Sequence, residues 1–158
     1  MKAEFYGQYF DVVICNDSGL YFEELDFEDL RQPGLNIRTP MNMDRLSDEE
    51  MIDYYSKLIA GLGGKVTAYY LDGIAVYNHG VISSFMDNMA AQKNGLFYMI
   101  DKASSKRFEG WPLDSLSINK ENGKYFVDGS IEESKENIIK DQYQKSVVDF
   151  LIKSLHIA

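Results

Sequence analysis

The spacing of hydrophobic positions along the chain changes several times, and each change marks a boundary. Glu4 to Cys15 is rich in aromatic and β-branched residues, with Phe5, Tyr9, Asp11 and Val13 set against Tyr6, Phe10, Val12 and Ile14, so it reads as one long strand. Asn16-Asp17-Ser18-Gly19 tolerates tight or left-handed backbone and predicts a turn. Leu20 to Leu30 fits two patterns: an edge strand through Tyr21, Glu23, Leu25 and Phe27, or a short helix through Leu25, Phe27 and Leu30. Pro33, Gly34 and Pro40 then interrupt regular structure, which makes Arg31 to Asn42 a connection.

Ser47-Asp48-Glu49-Glu50 is a capping box, and the apolar stripe Met51, Tyr54, Tyr55, Leu58, Ile59 and Leu62 continues it as a helix. Gly63-Gly64 ends that helix through left-handed backbone. Lys65 to Leu71 and Ile74 to Tyr77 are β-rich runs around Asp72-Gly73, which predicts a hairpin turn there. Ser84 to Lys93 has helical spacing, Leu96 to Ile100 reads as a buried strand, and Asn122-Gly123 predicts a hairpin joining Ser115–Ile118 to Lys124–Val127. Ser130-Ile131-Glu132-Glu133 is a second capping box, followed by a long amphipathic helix through Ile139, Tyr143, Val147, Phe150, Leu151 and Leu155. The pattern predicts an α+β fold: a central, mainly antiparallel sheet with about three helices, in one domain spanning residues 1–158.

Composition narrows the class. At 158 residues, with 45% hydrophobic and 13% aromatic residues, the chain has the material for a real core despite a net charge of -9. No apolar run approaches the ~20 residues of a membrane span, and the first residues lack the basic start and apolar stretch of a signal peptide. The single Cys15 excludes an internal disulfide, which fits a reducing, cytoplasmic setting. The charge is unevenly placed: residues 1–60 hold thirteen of the 25 acids and five of the 16 bases. A field of that sign repels phosphates, so nucleic acid is not expected as a direct partner.

Candidate chemistry is sparse. Two histidines and one cysteine offer few routes to a nucleophilic triad, no paired metal-ligand spacing occurs, and no cofactor motif is present. Gly61 to Val66 has the glycines and lysine of a phosphate loop, but it follows a helix and has Val66 where the hydroxyl belongs, so it reads as a helix C-cap. Asp72, Asp101, Asp114 and Asp128 fall near expected strand ends, where carboxylates serve turns as readily as acid–base chemistry.

A more distinctive pattern is the mixture of acids and aromatics between Asp17 and Asp29. Asp17, Tyr21, Glu23, Glu24, Asp26, Phe27, Glu28 and Asp29, extended by Asp48, Glu49 and Asp53, resemble aromatic anchors with a charged rim. They point to a cytoplasmic binding protein, more a binder than an enzyme, that neutralises a basic protein partner, such as a bacterial immunity protein against a nuclease-like toxin. An alternative is a small ligand-binding domain or enzyme with a pocket between sheet and helices, lined by Tyr77, His79, Asp101 and Trp111. A third is an assembly subunit that uses Phe108, Trp111, Pro112 and Leu113 as a contact loop.

Overall fold

A computed structural model of the chain describes residues 2–86, 95–129 and 138–157. The fold is α+β, with an antiparallel sheet and, among the described residues, the helices α1 (Lys2–Tyr6), α2 (Asp48–Gly61) and α3 (Ile138–Leu155). The strands are β1 (Val12–Phe22), β2 (Lys65–Asn78), β3 (Val81–Met86), β4 (Phe97–Ile100) and β5 (Ser117–Ile118). Sheet order is β1-β2-β4-β5, with β3 also pairing β2. The chain divides into two compact units: Met1–Ser18, Leu71–Asn94 and Asn137–Ala158 form the first, and Gly19–Tyr70 and Gly95–Glu136 the second.

The second unit holds the main core. Ser47 Oγ accepts the Glu50 amide while the Glu50 carboxylate accepts the Ser47 amide, so α2 begins at the expected capping box. It ends where Gly63 and Gly64 take φ of 102° and 85°, and the Gly64 amide returns to the Ile59 carbonyl. Met51, Ile52, Tyr55 and Ile59 are buried with Leu20 and Phe22 of β1, Val66 and Ala68 of β2, and Phe97 and Met99 of β4. Tyr55 is fully buried, and its hydroxyl donates to the Ile37 carbonyl at 2.9 Å, which satisfies the one polar atom its burial would strand. Pairing of Thr67 with Tyr98 and of Tyr98 with Ile118 fixes the β2-β4-β5 register.

In the first unit the far half of β2 pairs antiparallel with β3 from Gly73 and Met86 to Asn78 and Val81. Phe150 of α3 lies 5.6 Å from Phe85. Val147, Phe150, Leu151, Ser154 and Leu155 of α3 are half-buried at helical spacing.

Several expected elements are corrected. Asn16-Asp17-Ser18-Gly19 is not a turn but the middle of β1, and Lys2–Tyr6 is helix instead of strand. The adjacent strand gives these turn-formers an extended ladder, and Asp17 and Ser18 find side-chain partners in Lys2 and Asp72, so tertiary pairing overrides local preference. Leu20 to Leu30 is neither a full strand nor a helix. β1 stops at Phe22, and Gln32 staples the next turn by bonding the Phe22 amide and the Phe22 and Leu25 carbonyls.

Asp72-Gly73 likewise lies inside β2. The hairpin falls at His79-Gly80, whose φ values of 44° and 89° supply the left-handed pair that a two-residue turn needs. Ser84 to Met86 belongs to β3, and the rest of that expected helix, like the Ser130 capping box, lies outside the described residues. Around Asn122-Gly123 the expected hairpin shrinks to one bridge between Ile118 and Tyr125, because Phe126–Asp128 turns into a short 3-10 helix. No helix among the described residues is long and apolar enough to cross a membrane.

Candidate functional site

In the first unit, β1 and β2 bring an acid pair, a hydroxyl and an ammonium together. The His79 amide donates to the Asp11 carbonyl, and in the second unit the Glu23 amide donates to the Thr67 carbonyl, so the two strands run antiparallel. Counting inward from either bond sets Ser18 opposite Asp72, and Ser18 Oγ does donate to Asp72 Oδ1. The Ser18 amide donates to Asp17 Oδ1 at 3.2 Å, while Asp17 Oδ2 accepts from Lys2 Nζ at 2.8 Å. The Asp17 partner holds the Lys2 ammonium above the usual lysine range, so it stays charged at neutral pH. Both members of that pair are more than half exposed, and a ligand can reach them.

The second unit has a different cluster on the sheet face opposite its core. Lys65 Nζ lies 4.4 Å from the centroid of the Tyr98 ring, and Lys120 Nζ lies 4.8 Å from it. Lys65 stands two residues from Thr67, and Thr67 and Ile118 are partners of Tyr98, so strand alternation puts these four on one face, which Lys120 joins from the turn after β5 through its contact with the Tyr98 ring. Among the described residues neither ammonium is ion-paired. Tyr69 shares this face and stacks on Tyr21 at 5.7 Å, while Tyr21 stacks on Phe27 at 5.0 Å and 7°. Burial raises the Tyr21 and Tyr69 phenols, and the Glu23 charge raises Tyr69 further, so both remain neutral donors. Phe27 is 61% exposed, which leaves an aromatic face open.

The acids expected to form a binding patch are largely engaged within the chain. Asp17 pairs with Lys2, Asp29 with Arg31, Asp48 with Arg38, Glu49 with Arg107, and Asp53 with Lys57. Both Glu24 oxygens accept the Thr67 amide, at 2.7 and 2.9 Å. Glu23, Asp26 and Glu28 are exposed. Of the expected pocket residues, Tyr77 and His79 belong to the first unit and Asp101 and Trp111 to the second. Tyr77 packs its ring over Gly7, His79 forms the β2-β3 turn, and the Asp101 carbonyl accepts from Ser56 Oγ. Trp111 is 63% exposed and precedes the buried Pro112 and Leu113. Asp114 is half-buried, which raises its carboxyl, and Asp128 pairs with Lys106.

Lys2, Ser18, Tyr98 and Lys120 were not marked as site residues by any spacing in the sequence, and Lys65 only as the lysine of a phosphate-loop pattern that reads as a helix C-cap. Ser18, Lys65 and Tyr98 acquire their neighbours through strand register, and Lys2 and Lys120 through the chain path around those strands, neither of which local patterns encode.

No protein-family model matches the chain, and no curated protein matches it. Its fold is nevertheless found in solved structures. The Ham1 protein of Staphylococcus aureus superposes with a TM-score of 0.64 at 20% identity, over 95% of this chain and 72% of that one. A HAM1 protein from Coxiella burnetii gives 0.59 at 13%, over 90% and 68%. A nucleoside-triphosphatase, dITP/XTP pyrophosphatase, from Mycobacterium abscessus gives 0.61 at 12%, over 96% and 69%.

These identities establish a shared fold. They overturn the expectation of an acidic immunity protein or toxin inhibitor with a basic protein partner, because the fold is that of the Ham1 proteins and of a nucleoside-triphosphatase. The structure supplies the physical reason: six of the nine carboxylates that were to attract a cationic partner are bound to the chain's own lysines, arginines and amides.

Proposed function

We propose that the protein is a nucleotide-hydrolysing enzyme that cleaves a nucleoside triphosphate and releases pyrophosphate. The observation that carries this reading is the fold shared with the Mycobacterium abscessus nucleoside-triphosphatase, combined with the Asp17–Ser18–Asp72–Lys2 cluster on β1, β2 and α1. In this reaction a water oxygen attacks phosphorus, the water gives up a proton, and pyrophosphate leaves with the bridging oxygen. An exposed carboxylate at Asp17 suits the role of proton acceptor, and the Lys2 ammonium suits an anionic phosphate oxygen. Ser18 holds Asp72 in place.

A hard divalent cation is commonly bound by one or two carboxylates together with substrate phosphates, and it offsets charge on the phosphate oxygens. Asp17 and Asp72 fit that donor set. Among the described residues no group of three acids, histidines or cysteines is arranged to hold a metal, which is consistent with a cation that arrives with the triphosphate. The cluster on the second unit supports the same substrate class on separate grounds. Lys65 and Lys120 suit phosphate oxygens, and the open aromatic face at Phe27 suits a base. A nucleotide substrate and the free thiol of Cys15 support a cytoplasmic setting.

The test is pyrophosphate release by the purified chain from a panel of nucleoside triphosphates that includes dITP and XTP, with magnesium. Asp17→Asn is expected to lower kcat by about 10²- to 10⁴-fold, the usual contribution of a general base. Lys120→Ala is expected to raise KM with little change in kcat. Binding without pyrophosphate release would reduce the protein to a nucleotide-binding domain, and the absence of both would overturn the assignment.

A further inference from the structure

We infer that Lys65, Tyr98 and Lys120 form an oligophosphate site of their own on the second unit, which holds a diphosphate or triphosphate chain without help from the Asp17–Asp72 cluster. Strand order puts β4 between β2 and β5, so Lys65 reaches the Tyr98 ring from one side and Lys120 from the other. Their ammoniums lie 4.4 and 4.8 Å from the ring centroid, and therefore within about 10 Å of each other, one screening length at 0.1 M salt. Like charges that close repel, and an anion touching both removes the repulsion.

The backbone fixes where both lysines start. Lys65 pairs with Ile100 at one end of the β2-β4 ladder. Lys120 sits in a turn tied by Asn119, whose side chain accepts the Glu121 amide at 2.8 Å and the Asn122 amide at 3.4 Å. The Asn119 carbonyl accepts the Gly123 amide at 2.9 Å, and Gly123 takes φ of 69° to close the turn. Both lysines are exposed, so a ligand reaches them from solvent.

The chemistry of the site selects a multivalent phosphate. The chain has 25 acids against 16 bases, and among the described residues six other lysines and arginines are paired with carboxylates, yet these two meet a ring. Glu24, on the neighbouring loop, gives both its oxygens to the Thr67 amide. A phosphate group carries nearly two charges at neutral pH where a carboxylate carries one, and lysine ammoniums bind it as point charges. A single phosphate beside one ammonium has the ring between it and the other, whereas a chain of two or three phosphates passes the ring edge and meets both. That the ligand is the reaction's own triphosphate or pyrophosphate rests on the proposed activity; affinity for an oligophosphate does not.

Titration calorimetry of the full chain with inorganic pyrophosphate, at low ionic strength in EDTA, is expected to show one site. The EDTA keeps the carboxylate cluster from recruiting phosphate through a divalent cation. Lys65→Ala and Lys120→Ala should each weaken binding about tenfold, as loss of one charge-assisted bond does. Lys120→Arg should retain most of the affinity, and Asp17→Asn should leave it unchanged. In the unaltered chain, pyrophosphate should shield Lys65 and Lys120 from acetylation, read by mass spectrometry, and leave the exposed Lys153 reactive. A non-hydrolysable nucleoside triphosphate that binds more tightly than pyrophosphate assigns the site to substrate, and equal affinity assigns it to product. Absence of pyrophosphate binding, or binding that neither alanine substitution weakens, overturns the inference whether or not the chain hydrolyses nucleotides. Pyrophosphate binding in a chain that hydrolyses no nucleotide would instead remove the proposed activity and leave this site standing.

Discussion

Asp48 is the first residue of α2, and its carboxylate does three things there. It complements the helix N-terminus, accepts the Gly110 amide at 2.8 Å, and pairs with Arg38 at 2.9 Å. The Gly110 bond, then Arg38, hold its carboxyl below the usual range, as Arg31 holds that of Asp29 at about 2 and Ser47 lowers Glu50. Groups depressed in the folded state stabilise it above their unfolded pKa, near 3.8 for Asp, and that contribution is lost as pH falls through the folded value. Acid titration is therefore expected to weaken the fold progressively from about pH 4 toward pH 2, and Asp48→Asn should make the loss shallower, as read by the urea midpoint at each pH. Gly7 illustrates a steric requirement: a Cβ there would lie 2.7 Å from the Tyr77 ring. Gly7→Ala should cost about 1–3 kcal/mol in chemical denaturation, and Tyr77→Leu in the same chain should recover part of it.

At the scale of elements, the parts with strong local chemistry formed where the sequence placed them. The Ser47 capping box and the Gly63-Gly64 stop bound α2 because both signals act within a few residues, with no help from the rest of the fold. Strand ends behaved differently. Asn16-Asp17-Ser18-Gly19 and Asp72-Gly73 carry turn chemistry, yet they lie opposite each other in β1 and β2, where long-range pairing extends both. The turn moved to His79-Gly80, although φ of 44° is uncommon for a non-glycine residue. His79→Asn would supply the Asn-Gly pair this turn favours and is expected to raise stability by up to about 1 kcal/mol, measured by thermal melting, while His79→Val should lower it.

For the whole molecule, charge decides less than its distribution does. The first sixty residues carry most of the excess acid, but folding attaches six of their thirteen acids to Lys2, Arg31, Arg38, Lys57, Arg107 and the Thr67 amide. Exposed pairs contribute little individually, so Glu23→Lys or Asp26→Lys should shift stability by no more than about 0.5 kcal/mol. Glu24→Lys should cost about 1–3 kcal/mol by urea denaturation, because it leaves an amide of β2 without its acceptor.

Sequence alone determined the α+β class, the start and stop of α2, the buried stripe of that helix and the β4 strand, since each depends on periodicity or capping within one short segment. Tertiary structure decided that Ser18 meets Asp72, that Lys65 and Lys120 converge on Tyr98, and that Asp17, Glu24 and Asp29 of the acidic segment are engaged within the chain. Those meetings depend on the register between strands distant in sequence. A shift of one residue would turn the same side chains to opposite faces of the sheet, so composition and spacing cannot specify them.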